Sequence, residues 1–331
     1  MSPPAKSRFV SEGADGIVAA GIRTFLFQTI SEGFSLTVTA IAKPRRILLA
    51  TDLTSRCDRA LDRASQLASE WDAELVAAHI VDPAHTPQFH VDRSRRRWRR
   101  IHDPLERMRW RIRRDLAGDM ANMRFILEEG EPAEKLVEIA AREECDLIVT
   151  GAARQESIER MLWGSTIIRL VRGSPSPVLM VQDRGARPYR RITVATDFSE
   201  ASFQALLRTA AIFPESSLTL FHAYDIPFAG FVTDRDFSRE LQAMESDVAA
   251  RVLGDERIDP ALRARINVEI EHGSPEALLD DFVEDQHMDL TVIGSHGRGA
   301  VFDALIGSTA KRLVESLEGD LLIVRHREEE S

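Results

Sequence analysis

The chain states one long pattern twice. "RRILLATDLT" (45–54) returns as "RRITVATDFS" (190–199), and "AAHIVDP" (77–83) as "LFHAYDIP" (220–227). "GEPAEKLVEIAAREECDLIVTGA" (130–152) returns as "GSPEALLDDFVEDQHMDLTVIGS" (273–295), and "WGSTIIRLV" (163–171) as "IGSTAKRLV" (306–314). The offset is 190 − 45 = 145 at the start. From His79 and His222 onward it holds at 222 − 79 = 143, 294 − 151 = 143 and 307 − 164 = 143. Solenoid units repeat every ~20–50 residues, whereas this spacing is the size of a whole domain. The 331 residues are therefore expected to form two tandem domains, at 43–183 and 189–327. "QDRGARPY" (182–189) reads as the linker between them, with charge, glycine and proline where few contacts should cross. Residues 1–42 stand apart as an arm. Arg23 and Glu32 interrupt its apolar stretch, so no run approaches the ~20 residues of a membrane span.

Within each copy, short apolar runs alternate with helical periodicity. In the second copy "RITVATD", "SLTLFHAYD", "INVEIEHG", "DLTVIGS" and "DLLIVRH" read as strands. "ASFQALLRTAAIF", 235–253, "SPEALLDDFVEDQH" and a segment from about Ser308 read as helices, with Ser274 as N-cap and Pro275 at the first helical position. Buried strands alternating with helices imply a parallel sheet covered on both faces. Right-handed crossovers make a doubly wound five-stranded sheet the simplest solution for each copy. The fold class expected is α/β, two such domains in tandem. Ligands of these sheets bind beyond the carboxyl ends of the strands. The polar positions there are Asp52 and Asp197 after strand one, and Gly151 and Gly294 after strand four.

"GSHGRGAVFDALIGST" (294–309) follows strand four of the second copy. Gly294 and Gly297 admit close approach of backbone to a ligand. Gly307, Ser308 and Thr309 open a helix whose free N–H groups and dipole favour an anion. The plainer role for the same glycines is a tight turn. Asp197 suits a ribose hydroxyl or a metal. The pieces describe a site for adenosine with phosphates. The pattern Gly294-x2-Gly297-x9-Gly307-Ser308, with an Asp after strand one, resembles the ATP-binding signature of the universal stress protein family. The resemblance covers roughly 44–327, and the duplication resembles the tandem members. It implies a Rossmann-like fold, ATP as ligand with or without Mg2+, Asp197 and Gly294 near the ribose, and the backbone of Ala223 against the adenine. It further implies phosphates at Gly307, Ser308 and Thr309, and dimer-like pairing through the last strands. A tandem chain can make that pairing internally, as a pseudo-dimer, and assemble further into a homo-oligomer.

The first copy departs from the signature. It reads Gly151-Ala-Ala-Arg154, then Gly164-Ser165. Arg154 removes the close approach that a glycine allows, so this copy is expected to be a degenerate, structural half. An arginine that pairs with a phosphate is the alternative. Asp52, Ile80, Gly151, Gly164 and Ser165 keep the outline of a pocket.

Net charge is −10, which argues against the whole protein as a nucleic-acid binder. Yet "RSRRRWRRIHDPLERMRWRIRR" (93–114) holds eleven arginines against two acids. It reads as a helix with a solvated basic face, or as a patch for an anionic partner. The sequence lacks a P-loop, a strand-one G-x-G-x-x-G, G-x-S-x-G and H-E-x-x-H. Expected chemistry is therefore binding rather than turnover, with slow ATP hydrolysis or autophosphorylation on Ser308 or Thr309 as the limit, and a nucleotide-free scaffold as the competing class. His296 has no partner fixed by sequence and reads as a loop residue. His79 and His222, which close strand two in both copies, suggest a shared packing or hydrogen-bond role. Two cysteines, Cys57 and Cys145, make no disulfide framework and fit a reducing, cytoplasmic setting.

Overall fold

The computed structural model describes residues 43–53, 57–82, 123–151, 165–184, 187–224, 235–294, 312–313 and 317–325, with the backbone alone for 165, 235–241 and 244. The first half supplies β1 (Arg46–Ala50), α1 (Asp58–Trp71), β2 (Glu74–Val81), β3 (Met123–Glu129), α2 (Pro132–Arg142), β4 (Leu147–Gly151), α3 (Ser165–Gly173) and β5 (Val178–Val181). The second half supplies β6 (Arg191–Ala195), α4 (Glu200–Ile212), β7 (Ser217–Tyr224), α5 (Arg235–Leu253), α6 (Pro260–Arg263), β8 (Ile266–His272), α7 (Pro275–Asp285), β9 (Leu290–Gly294) and β10 (Leu321–Val324).

Local chemistry explains these elements. In α1, Ala60, Ala64 and Leu67 recur at helical spacing and are fully buried. The helix stops at Asp72, which adopts the left-handed conformation. In α2, Pro132 sits in the first turn and the Glu131 carboxylate accepts the Glu134 amide at 2.8 Å, a side-chain N-cap. In α7, Ser274 holds the N-cap position with Pro275 behind it, but its hydroxyl donates to Glu276 at 3.0 Å instead of capping an amide. The inner strands β4, β5, β9 and β10 are apolar runs, as strands covered on both faces must be. The outer strand β8 alternates, with Ile266, Val268 and Ile270 inward and Asn267, Glu269 and Glu271 exposed.

Each half has the strand order 3-2-1-4-5, and the halves fuse into one ten-stranded sheet, β3-β2-β1-β4-β5-β10-β9-β6-β7-β8. All neighbours are parallel except the junction, where β10 runs antiparallel to β5 in the register Leu321↔Met180, Leu322↔Leu179 and Ile323↔Val178. The carboxyl ends of the first half's strands thus lie at the opposite end of the sheet from those of the second half. Charges at Arg124, Glu128 and Glu129 on β3, and at Glu269 and Glu271 on β8, blunt the two outer edges.

A core lies on each face of the sheet, and both cross the junction. One joins Leu67, Leu179 and Val181 to Tyr189, Phe213 and Leu322. The other joins Leu170, Val178 and Met180 to Leu317, Leu321 and Ile323. Trp71 of α1 meets Phe213 edge-on, centroids 5.6 Å apart, and Tyr189 meets the same ring at 5.6 Å.

The linker departs from expectation. Few contacts were to cross at 182–189, yet the Gln182 and Asp183 amides both donate to Asp320 Oδ1, at 2.7 and 3.0 Å. Tyr189 donates its hydroxyl to Asp320 Oδ2 at 2.5 Å, and Arg63 Nη1 donates to the Arg187 carbonyl at 2.6 Å. A charged segment reads as solvated in sequence; here its polar groups find buried partners from both halves.

Gly130 and Gly273 end β3 and β8 at equivalent positions. Their φ angles are +149° and +144°, and their amides donate to Val81 and Tyr224 carbonyls at 3.1 and 2.8 Å. A Cβ at Gly273 would stand 3.0 Å from Leu278 Cδ1. Gly273→Ala is expected to cost about 1–3 kcal/mol of stability, read from the midpoint of chemical denaturation. An unchanged midpoint would show that the turn relaxes freely.

Candidate nucleotide crevice

The described start of the loop after the first strand repeats in both halves. Thr51 and Thr196 each add one ladder bond beyond the strand, donating to the Ala78 and Phe221 carbonyls at 3.0 and 2.9 Å. Their hydroxyls then accept the amides of Leu53 and Phe198, at 3.0 and 2.9 Å. Leu53 and Phe198 are left-handed, with φ of 59° and 57°. Bulky residues rarely take this conformation, and it costs roughly 1–2 kcal/mol each. Between the threonine and the strained residue stands the aspartate, Asp52 or Asp197. One Asp197 oxygen accepts the Ser199 amide at 3.0 Å, tying the loop to the start of α4.

The two histidines clamp these loops from strand two. His79 Nδ1 lies 2.8 Å from the Thr51 carbonyl, and His222 Nδ1 lies 2.7 Å from that of Thr196. A carbonyl only accepts, so Nδ1 carries the proton in each ring. His222 is buried, packed against Phe198 at 4.6 Å and stacked on Tyr224 at 5.9 Å. The shared role expected of the pair is this hydrogen bond to the loop that carries the aspartate.

Strand geometry opens a place beside that loop. The Phe221 peptide faces β6, since its carbonyl accepts from Thr196, and the Tyr224 peptide faces β8, since its carbonyl accepts from Gly273. By alternation the Ala223 N–H and C=O face the β6 side, two residues beyond the end of the β6 ladder at Ala195↔Phe221. The Ala223 backbone, the Asp197 loop and the end of β9 at Gly294 therefore border one crevice at the carboxyl ends of β6, β7 and β9. In the first half Ile80, Asp52 and Gly151 stand at the matching places.

Gly294 has a role that its motif does not reveal. A Cβ there would lie 3.3 Å from the Ala201 carbonyl oxygen and 3.5 Å from the Ser202 nitrogen. The bare Cα lets β9 pack on the first turn of α4. That turn is knotted to the loop, because Ser202 Oγ lies 2.9 Å from Thr196 Oγ1 and donates to the Ser199 carbonyl at 2.9 Å. In the first half the place of Ser202 is taken by Cys57, whose sulfur accepts the Asp52 amide at 3.5 Å. Burial pushes the Cys57 thiol up to about 11 and the Cys145 thiol up to about 12. Both are free and stay protonated, hence weakly nucleophilic, at neutral pH.

Gly297, Gly307, Ser308 and Thr309 lie outside the described residues, as do Arg154, His296 and the arginine-rich 93–114. Among the described residues no group of three or more His, Cys, Asp or Glu is placed to hold a metal ion, and no helix is long and apolar enough to cross a membrane. The counterpart arginines Arg169 and Arg312 each pair with a glutamate at the start of the preceding helix, though not with equivalent residues. Arg169 Nη1 pairs with Glu131 at 3.1 Å, and Arg312 Nε pairs with Glu276 at 2.7 Å.

A sequence model described as the universal stress protein family matches the chain twice, over residues 43–182 and 188–325. The chain belongs to the universal stress protein family. It is similar to universal stress protein E of Escherichia coli, 23% identical over 217 residues that cover 60% of this chain and 67% of that protein. A universal stress protein of Mycolicibacterium smegmatis is 24% identical over 304 residues, 85% of this chain and 97% of the relative, so the match runs through both halves. Among solved structures, a universal stress protein from Archaeoglobus fulgidus overlays with a TM-score of 0.59 at 18% identity, covering 88% of this chain and 99% of that one. That likeness shows the tandem α/β fold.

Proposed function

We propose that this universal stress protein binds ATP in the crevice of its second half, and acts in the cytoplasm as a regulatory or protective nucleotide-binding module. The observation that carries the reading is the Ala223 peptide, which faces the β6 side past the end of that strand, beside the Asp197 loop and Gly294. An amide and a carbonyl so placed match the donor and acceptor edge of adenine, and Asp197 suits the ribose hydroxyls. Gly297, Gly307, Ser308 and Thr309 complete the signature for the phosphates. The first half repeats the loop and the histidine clamp but carries Arg154 at the second glycine, and is proposed to be a structural half without nucleotide. The arginine-rich 93–114 is proposed as a contact for an anionic partner, since +9 in an acidic chain is a local, one-signed field.

The test is to purify the protein without added nucleotide, denature it, and identify the released small molecules by mass spectrometry and ultraviolet absorbance. One ATP per chain, co-purified or taken up in calorimetry, is the expected result. Two per chain would mean that Arg154 accepts a phosphate and that the first half is also a site. None at millimolar ATP and magnesium would overturn the reading and leave the glycines as turn residues.

A further inference from the structure

β5 and β10 occupy the same place in their halves, since 321 − 178 = 143. Their ladder is backbone pairing between short apolar strands, and backbone alone does not choose between a β5–β10 pair and a pair of like strands from two chains. The side chains around the ladder are not equivalent. Asp320, immediately before β10, has a fully buried side chain. Three hydrogen-bond donors converge on it, the Gln182 and Asp183 amides on Oδ1 and the Tyr189 hydroxyl on Oδ2, and Arg63 Nε makes an ion pair with Oδ2 at 3.3 Å. Arg63 lies in α1 of the first half, is 5% exposed, and covers the Tyr189 ring at 4.2 Å. Its Nη1 is held by Gln66 at 2.7 Å and by the Arg187 carbonyl. Arg59 of the same helix donates to the Gln182 carbonyl, and Gln182 Nε2 to that of Leu317 at 3.2 Å.

The counterpart of Asp320 in the first half is Pro177, since 320 − 177 = 143. Two first halves joined by the same geometry would set each Arg63 against Pro177 and bury a guanidinium without its carboxylate, which is strongly unfavourable. We propose that the Arg63–Asp320 pair selects the partner at the junction: the β5 edge accepts the second half of its own chain and rejects the first half of another copy. The hydroxyl of Tyr189 and the amides of Gln182 and Asp183 reinforce the choice by tying the linker to the same carboxylate, and the selection acts whether or not a nucleotide is bound.

Hydrogen exchange of the full chain, resolved by mass spectrometry, tests the lock. In Asp320→Ala, peptides covering 178–181 and 321–324 are expected to lose protection by at least about tenfold while β1 and β7 keep theirs. The milder Tyr189→Phe, which removes only the hydroxyl, should give a smaller loss at the same peptides. The double variant Arg63→Met/Asp320→Leu, which removes both charges and keeps the bulk, should restore part of the protection lost in Asp320→Ala, the rest staying lost because the Gln182 and Asp183 amides and the Tyr189 hydroxyl have no acceptor. Unchanged exchange at the junction in Asp320→Ala, or no rescue in the double variant, would overturn the idea. Light scattering tests selection directly. Adding Pro177→Asp to Asp320→Ala gives each first half a carboxylate opposite another copy's Arg63. This variant is expected to show twice the mass of Asp320→Ala alone, and equal masses would refute selection by this pair.

Discussion

Arginine in place of Gly297 is expected to weaken ATP binding by at least about a hundredfold, a loss of about 2.7 kcal/mol, while leaving the fold intact. The substitution imposes on the second half the residue that the first half carries as Arg154. A side chain at that point takes the space through which backbone amides would reach the phosphates, and its guanidinium competes for the same site. Calorimetry with ATP measures the loss, and circular dichroism checks the fold. Affinity within a few fold of the parent would mean that Gly297 is a turn residue and that Arg154 does not explain an empty first half.

Truncating Leu322 to alanine is expected to destabilise the first half as well as the second. Leu322 is 1% exposed and lies opposite Leu179 at the junction. Such truncations cost about 2–5 kcal/mol. All four tryptophans, Trp71, Trp98, Trp110 and Trp163, belong to the first half, so their fluorescence reports that half together with the contact of Trp71 to Phe213 across the junction. Because both cores cross the junction, the fluorescence midpoint in urea should fall together with the circular-dichroism midpoint. A fluorescence transition that stays in place while circular dichroism becomes biphasic would show that the halves unfold separately.

The repeat, the strand runs and the helix starts were legible because each is a local, periodic signal repeated 143 to 145 residues later. The aspartates after strand one could be picked out for the same reason. The strain at Leu53 and Phe198 was not, since neither is the glycine or asparagine that ordinarily marks a left-handed position. Gly294 could be read as a ligand contact from its motif, but only the packing of β9 on Ala201 reveals that helix α4 also requires it. Arg63 and Asp320 were illegible for a deeper reason. Each is a charged residue that by itself reads as surface, and only the meeting of elements 257 residues apart turns them into a buried pair. The linker misled for the same cause: its composition is that of a solvated tether, while its amides and Tyr189 answer a carboxylate that the second half contributes.

The single antiparallel step at β5–β10 also fixes where the molecule can be gripped. Because every other pairing within a half is parallel, the Asp52 mouth and the Asp197 mouth look out from opposite poles of the sheet. A bulky body docked over one pole leaves the other open to solvent. The two halves differ in sequence at this motif, Arg154 standing where the other has Gly297, so the two poles belong to unlike halves, and whatever reads one does so without shading the other.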